Sequence, residues 1–138
     1  MNITLKTEYA LRALYEMMSR SDADQPVNRR QIAERQGISE HFLEKIFIDL
    51  QKSDIIKSVR GPGGGFVLGE DPDGITLWDV YTAVDDPGYT EGRCCPQLPR
   101  EACLLQGDCK VKNLWFKFAS TLKENMTGIK LVDVFRSR

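Results

Sequence analysis

The sequence predicts a mainly α chain with one small β-hairpin, and three observations carry that expectation. Two short helical patterns meet at a glycine-containing turn, Ala33 to Ser39. Two short alternating stretches flank the run Gly61-Pro62-Gly63-Gly64-Gly65. Late in the chain Val111, Leu114, Phe118, Leu122 and Met126 recur at steps of three and four, with Trp115 beside them, as on one long amphipathic helix. At 138 residues one domain is the natural expectation, large enough to bury roughly two thirds of its unfolded surface.

Each element has a local cause. A first helix from about Leu5 to Arg20 puts Ala10, Leu11, Leu14, Tyr15 and Met18 on one face. Glu8 stands near its start, where the helix dipole favours an acid. After the polar turn Ser21 to Pro26, Asn28 is placed to cap a short helix carrying Ile32 and Ala33, and Gly37 ends it. Ser39 is the expected cap of a third helix, with Ile38 set to pack on Leu43 as a hydrophobic staple and an apolar face continuing through Ile46, Phe47 and Leu50. Glu40, His41, Glu44 and Lys45 are left on its exposed side. Asp54 to Arg60 and Phe66 to Leu68 read as paired strands with the glycine run as their turn. Thr76 caps a helix with Leu77, Val80, Tyr81 and Val84 on one face, ending near Asp85-Asp86-Pro87. Beyond the long helix, Gly128 breaks the pattern and Leu131, Val134 and Phe135 form a short closing segment.

Helix-turn-helix followed by a hairpin is a winged helix. The expected architecture is therefore mainly α with a small β-hairpin wing: a winged helix-turn-helix plus a long C-terminal dimerisation helix. Residues 1–85 would form the DNA-binding unit, 86–110 a cysteine-rich loop, and 111–138 the dimerisation helix and C-terminal segment. A stripe like that on the late helix is usually core. Here the core is expected to be shared by two chains, because a two-fold dimer sets two recognition helices one turn of DNA, roughly 34 Å, apart.

Small helical hairpins with no nucleic-acid role share the helix-turn-helix pattern, and the hairpin that follows is what favours DNA. The third helix would offer its N-terminal residues to a major groove. Arg60, at the base of the wing, could enter a narrow minor groove, with Gly61, Gly63 and Gly64 as further DNA-binding candidates, and the three successive glycines Gly63, Gly64 and Gly65 let the loop backbone lie close to another surface. Arg29, Arg30, Lys52 and Lys57 could reach phosphates. A nucleotide-binding loop is set aside because no Lys-Ser/Thr follows these glycines.

Charge alone names no partner, since the net charge is -1. Lys6, Glu8 and Arg12 interrupt the opening apolar residues and exclude a signal peptide. No apolar run approaches the roughly 20 residues that span a membrane. A cytoplasmic location is expected, with no membrane partner. No substrate or flavin motif is visible, so the chain is read as no enzyme; a redox enzyme or electron carrier would leave the wing unexplained.

All four cysteines fall between Cys94 and Cys109, spaced as Cys95-x7-Cys103-x5-Cys109 with Cys94 adjacent. A long stretch between helical patterns with no element of its own calls for a function or a constraint, and thiolates on an iron-sulfur cluster would supply both. Without a secretory signal, paired disulfides fit poorly. Structural zinc usually uses Cys-x2-4-Cys pairs, of which there are none. From spacing alone a cluster, zinc and redox-switching thiols all stay open.

The run Val59-Arg60-Gly61-Pro62-Gly63-Gly64-Gly65-Phe66-Val67-Leu68, the opening Thr7-Glu8-Tyr9-Ala10-Leu11-Arg12, and Ile38-Ser39-Glu40-His41-Phe42-Leu43-Glu44 closely resemble the IscR/NsrR/RirA family of iron-sulfur winged-helix transcription regulators. The resemblance spans nearly the whole chain. It implies a homodimer on an operator, as an inverted repeat, with Ser39, His41 and Glu44 at base-reading or discriminating positions and Arg60 as the wing contact. It also implies a cluster held by Cys103, Cys109 and either Cys95 or Cys94. The IscR branch adds a histidine three residues after the third cysteine, and here that position is Lys112, a poor ligand. The longer first gap resembles the RirA branch. In the NsrR branch an N-terminal acid completes a 4Fe-4S site across the dimer, which makes Glu8 of the other chain the candidate fourth ligand and favours 4Fe-4S over 2Fe-2S. The signal implied is iron, nitric oxide or redox state. The alternative is a cluster-free winged-helix regulator using the cysteines as a thiol switch or zinc site.

Overall fold

A computed structural model describes residues 3–20, 24–69, 71–85 and 109–137. The order is α1 (Leu5–Met18), α2 (Arg29–Gln36), α3 (Glu40–Lys52), β1 (Ile56–Val59), β2 (Gly65–Leu68), a 3-10 turn (Pro72–Gly74), α4 (Leu77–Val84), α5 (Lys110–Thr127) and α6 (Leu131–Phe135). This is a mostly helical fold carrying a winged helix.

Capping accounts for most boundaries. The Thr4 side chain accepts from the Lys6 amide at the start of α1, and Asn28 accepts from the Arg30 amide at the start of α2. Gly37, in the left-handed region at φ 65°, stops α2. Thr76 and Asp79 form a reciprocal capping box on α4. Ser39 occupies the cap position of α3, but its side chain makes no capping bond. The first helix ends at Met18, two residues short of Arg20, with Ser19 as its C-cap.

The hairpin is shorter than its pattern. It pairs Ile56 with Leu68 through Val59 with Gly65, antiparallel. Asp54, at φ 57°, lies in the left-handed region and cannot belong to a strand. A third chain segment joins this sheet: Val27 exchanges both backbone hydrogen bonds with Phe66, at 2.8 and 2.9 Å. A Cβ on Gly65 would stand 2.5 Å from the Val27 carbonyl oxygen, so this glycine is required by the fold itself.

One core unites the first four helices and the wing. Leu14, Leu43, Leu50 and Val80 are fully buried, with Ile46, Phe47 and Ile56 beside them. Phe47 meets Phe66 edge-on at 4.8 Å, and Tyr9 meets Phe42 likewise at 5.5 Å. Such pairs add about 0.5–1.5 kcal/mol beyond the area they bury. They fix α3 against both the wing and α1. The closing segment also returns to this core: Leu131 is buried, its amide donates to the Ile75 carbonyl, and Phe135 lies edge-on to Tyr15.

Candidate nucleic-acid interface

The amphipathic pattern of α3 settles which of its residues are available. Leu43, Ile46, Phe47 and Leu50 are buried, while Ser39, Glu40, His41, Glu44 and Lys45 are all exposed. The expected DNA-facing set therefore lies on one open surface at the N-terminal half of the helix. Arg60, Gly61 and Gly63 are exposed and Gly64 is half-buried at the wing. Gly61 and Gly63 have φ of 105° and 74°, conformations that side chains other than glycine's rarely permit. A Cβ on Gly64 would collide with the Val59 carbonyl oxygen. The Gly64 amide donates to the Gly61 carbonyl at 2.9 Å and closes the turn.

The basic residues differ in their engagement. Arg30 is held by Glu34 on its own helix, Nε to Oε1 3.1 Å. Arg29 reaches from α2 to Glu40 on α3, 3.8 Å between charged atoms. Arg35 pairs with Glu16 at 3.5 Å, and Gln36 donates to the same carboxylate at 2.6 Å, tying α2 to α1. Lys57, on β1, is exposed. Arg60 and Lys45 make no ion pair among the described residues.

Of the expected metal ligands, Cys94, Cys95 and Cys103 lie outside the described residues. Cys109 is a free, half-buried thiol at the N-cap position of α5. Glu8 is exposed in the first turn of α1 and accepts from Arg12 at 3.0 Å. The Nζ of Lys112 lies 5.5 Å from the centre of the Phe116 ring. Three thiolates and a carboxylate are a donor set suited to an iron-sulfur cluster. Among the described residues, no three of His, Cys, Asp or Glu gather as a metal-holding group.

Sequence reasoning missed the clasp at Asp85, at the C-terminal end of α4. Its carboxylate accepts from the Thr4 amide at 3.1 Å, the Thr4 hydroxyl at 2.6 Å and the Thr7 hydroxyl. Thr7 is almost fully buried. Its partner stands 78 positions away, and no local pattern announces such a bond.

On α5 only Ala119 and Met126 are buried. Val111, Leu114 and Phe118 are exposed by 57, 62 and 51%. The stripe read from the sequence is present but largely exposed among the described residues. No helix among the described residues is long and apolar enough to cross a membrane.

A family model described as Rrf2, iron-dependent transcriptional regulator, matches residues 3–137. The HTH-type transcriptional regulator IscR of Yersinia pseudotuberculosis serotype O:1b is 35% identical over 138 residues, which are all of this chain and 81% of that protein. Among solved structures, CymR (YrzC), the global cysteine regulator of B. subtilis, has a TM-score of 0.75 at 27% identity, covering 99% of this chain and 97% of that one. T. potens IscR has a TM-score of 0.72 at 26% identity, covering 99 and 87%.

Proposed function

The chain belongs to the Rrf2 family of transcriptional regulators, and from that premise we propose a cytoplasmic, dimeric DNA-binding regulator whose operator affinity depends on an iron-sulfur cluster sensing iron, nitric oxide or redox state. The observation that carries the DNA half is the exposed polar edge of α3 beside a glycine-built wing, on a chain matched from residue 3 to 137 by that family.

Ser39, His41 and Glu44 would face base edges, with Glu44 accepting from cytosine N4 or excluding other bases. Arg60 would enter the minor groove from the wing, and Arg29, Arg30, Lys52 and Lys57 would position the protein on phosphates. The uncovered stripe of α5 supports a homodimer. Burying a side chain such as Leu114 or Phe118 is worth roughly 1.5–3 kcal/mol, and a two-fold pair matches an inverted-repeat operator.

Cys103, Cys109 and one of Cys94 and Cys95 would hold the cluster, with Glu8 of the other chain as fourth ligand in a 4Fe-4S form. When bound, the group supplies iron open to attack by small oxidants or nitric oxide. Two features couple this chain's loop to its DNA-reading unit. Asp85 pins the loop's start to the head of α1, the helix that carries Glu8. Cys109 sets its end at the head of α5. Arg12 engages one oxygen of the Glu8 carboxylate, which leaves the other available to a ligand role. We divide the chain accordingly into residues 1–85, 86–110 and 111–138.

Similarity to a cysteine regulator supports the second reading, a cluster-free thiol or zinc switch on the same scaffold. Both readings share the wing. With a duplex selected from a random-sequence library, Arg60→Ala should weaken binding by about 1–3 kcal/mol or lower the salt slope by about one. Unchanged affinity and slope would remove the wing contact.

A further inference from the structure

The first turns of α2 and α3 meet through a charged pair. Arg29 opens α2 and Glu40 opens α3, with NH2 to Oε1 at 3.8 Å. At that separation the two attract without a hydrogen bond. The Nε of the same guanidinium is buried and has no hydrogen-bond partner among the described residues, so it carries the desolvation penalty of an unpaired donor. The Arg29 side chain is 27% exposed and that of Glu40 is 50% exposed. Arg30 offers a contrast. Its 3.1 Å bond to Glu34 stays within α2, whereas the Arg29 pair crosses to the helix whose N-terminal half is the open polar surface.

A guanidinium presents a planar fork of donors that matches the two oxygens of a phosphate. Here the fork is held off-ideal by one carboxylate oxygen, beside an orphaned N–H. A phosphate would offer stronger, two-pronged hydrogen bonds than Glu40 does.

We propose that Glu40 is an internal counter-ion that restrains Arg29 in the free protein, and that a backbone phosphate of DNA displaces it on binding. Glu40 then sets affinity by competing for Arg29, without itself contacting DNA. This inference rests on the DNA-binding reading above.

The test is a double-mutant cycle on the full chain, with a random-sequence DNA duplex as probe and affinity followed against salt. Glu40→Gln should tighten binding by about two- to fivefold, the scale of an exposed ion pair. Arg29→Ala should weaken binding and reduce the salt slope by about one. In the Arg29→Ala background the gain from Glu40→Gln should vanish. If that gain persists undiminished, Glu40 acts by plain repulsion of DNA and the proposal is overturned. No gain from Glu40→Gln, or an unchanged slope in Arg29→Ala, overturns it equally. Should Arg29→Ala fail to fold, Arg29→Gln takes its place in the cycle. Wild-type protein that binds no duplex overturns the DNA-binding reading, and this inference with it.

Discussion

Two helices of this chain carry apolar stripes at similar spacing and use them in opposite ways. Along α3, Leu43, Ile46, Phe47 and Leu50 all disappear into the core, and what remains outside is mainly polar, with Ile48 exposed among it. Along α5, Val111, Leu114 and Phe118 stay exposed and only Ala119 and Met126 are covered. The first helix is complete within one chain, so its outer face is free for a partner of different chemistry. The second is unfinished, and exposed apolar area of this kind marks an interaction surface. Periodicity tells where a stripe lies. It does not tell whose surface will cover it.

The largest effect expected from this contrast is on the finished helix. Phe47→Ala removes a ring buried against Phe66 and should cost about 3–5 kcal/mol in urea unfolding, with β1 and β2 loosened as well. A loss under about 1 kcal/mol would mean that α3 is not anchored through the wing. On the unfinished helix, Phe118→Ala should leave the protomer's fold intact while weakening the dimer by roughly 1.5–3 kcal/mol per protomer. The dimer loses this twice, and sedimentation equilibrium reads it as a dissociation constant raised at least about a hundredfold. An unchanged association constant would exclude this stripe from the dimer contact.

Much of the fold was legible because its causes are local. Asn28, Gly37 and Thr76 each sit where a cap was expected and each performs there, two through a side-chain bond and one through its φ. The staple pair Ile38 and Leu43 is buried as read. Asp54 shows where locality misled: alternation continued through it, but its left-handed backbone turns the chain between α3 and β1. What escaped entirely was long-range. Val27 pairs with Phe66, Thr76 bridges to Lys130, and Asp85 binds Thr4 and Thr7. These bonds join residues whose own sequence neighbourhoods say nothing of each other.

The candidate site divides along the same line. Exposure of Glu40, His41, Glu44 and Lys45 follows from the helical period, and the positive φ of Gly61 and Gly63 from the glycine run. That Glu40 faces Arg29 across two helices did not follow from either. The role of Gly65 was read as freedom for the loop, whereas the close approach of Val27 gives a structural reason for it. For the cysteines, spacing was the whole signal, and of the four only Cys109 has a described setting, at the head of α5.

Under the proposed function, iron occupancy at these cysteines would govern the hold of α3 and the wing on DNA. The most direct test measures the affinity of anaerobically reconstituted and iron-free protein for one selected duplex at fixed salt, with iron and sulfide assayed in each sample and Cys103→Ala alongside. The two affinities are expected to differ by about 5- to 150-fold, the usual range of coupling between two sites, and the difference to disappear in Cys103→Ala. Equal affinities in the two states, or a colourless protein that takes up zinc instead, would contradict the proposed function.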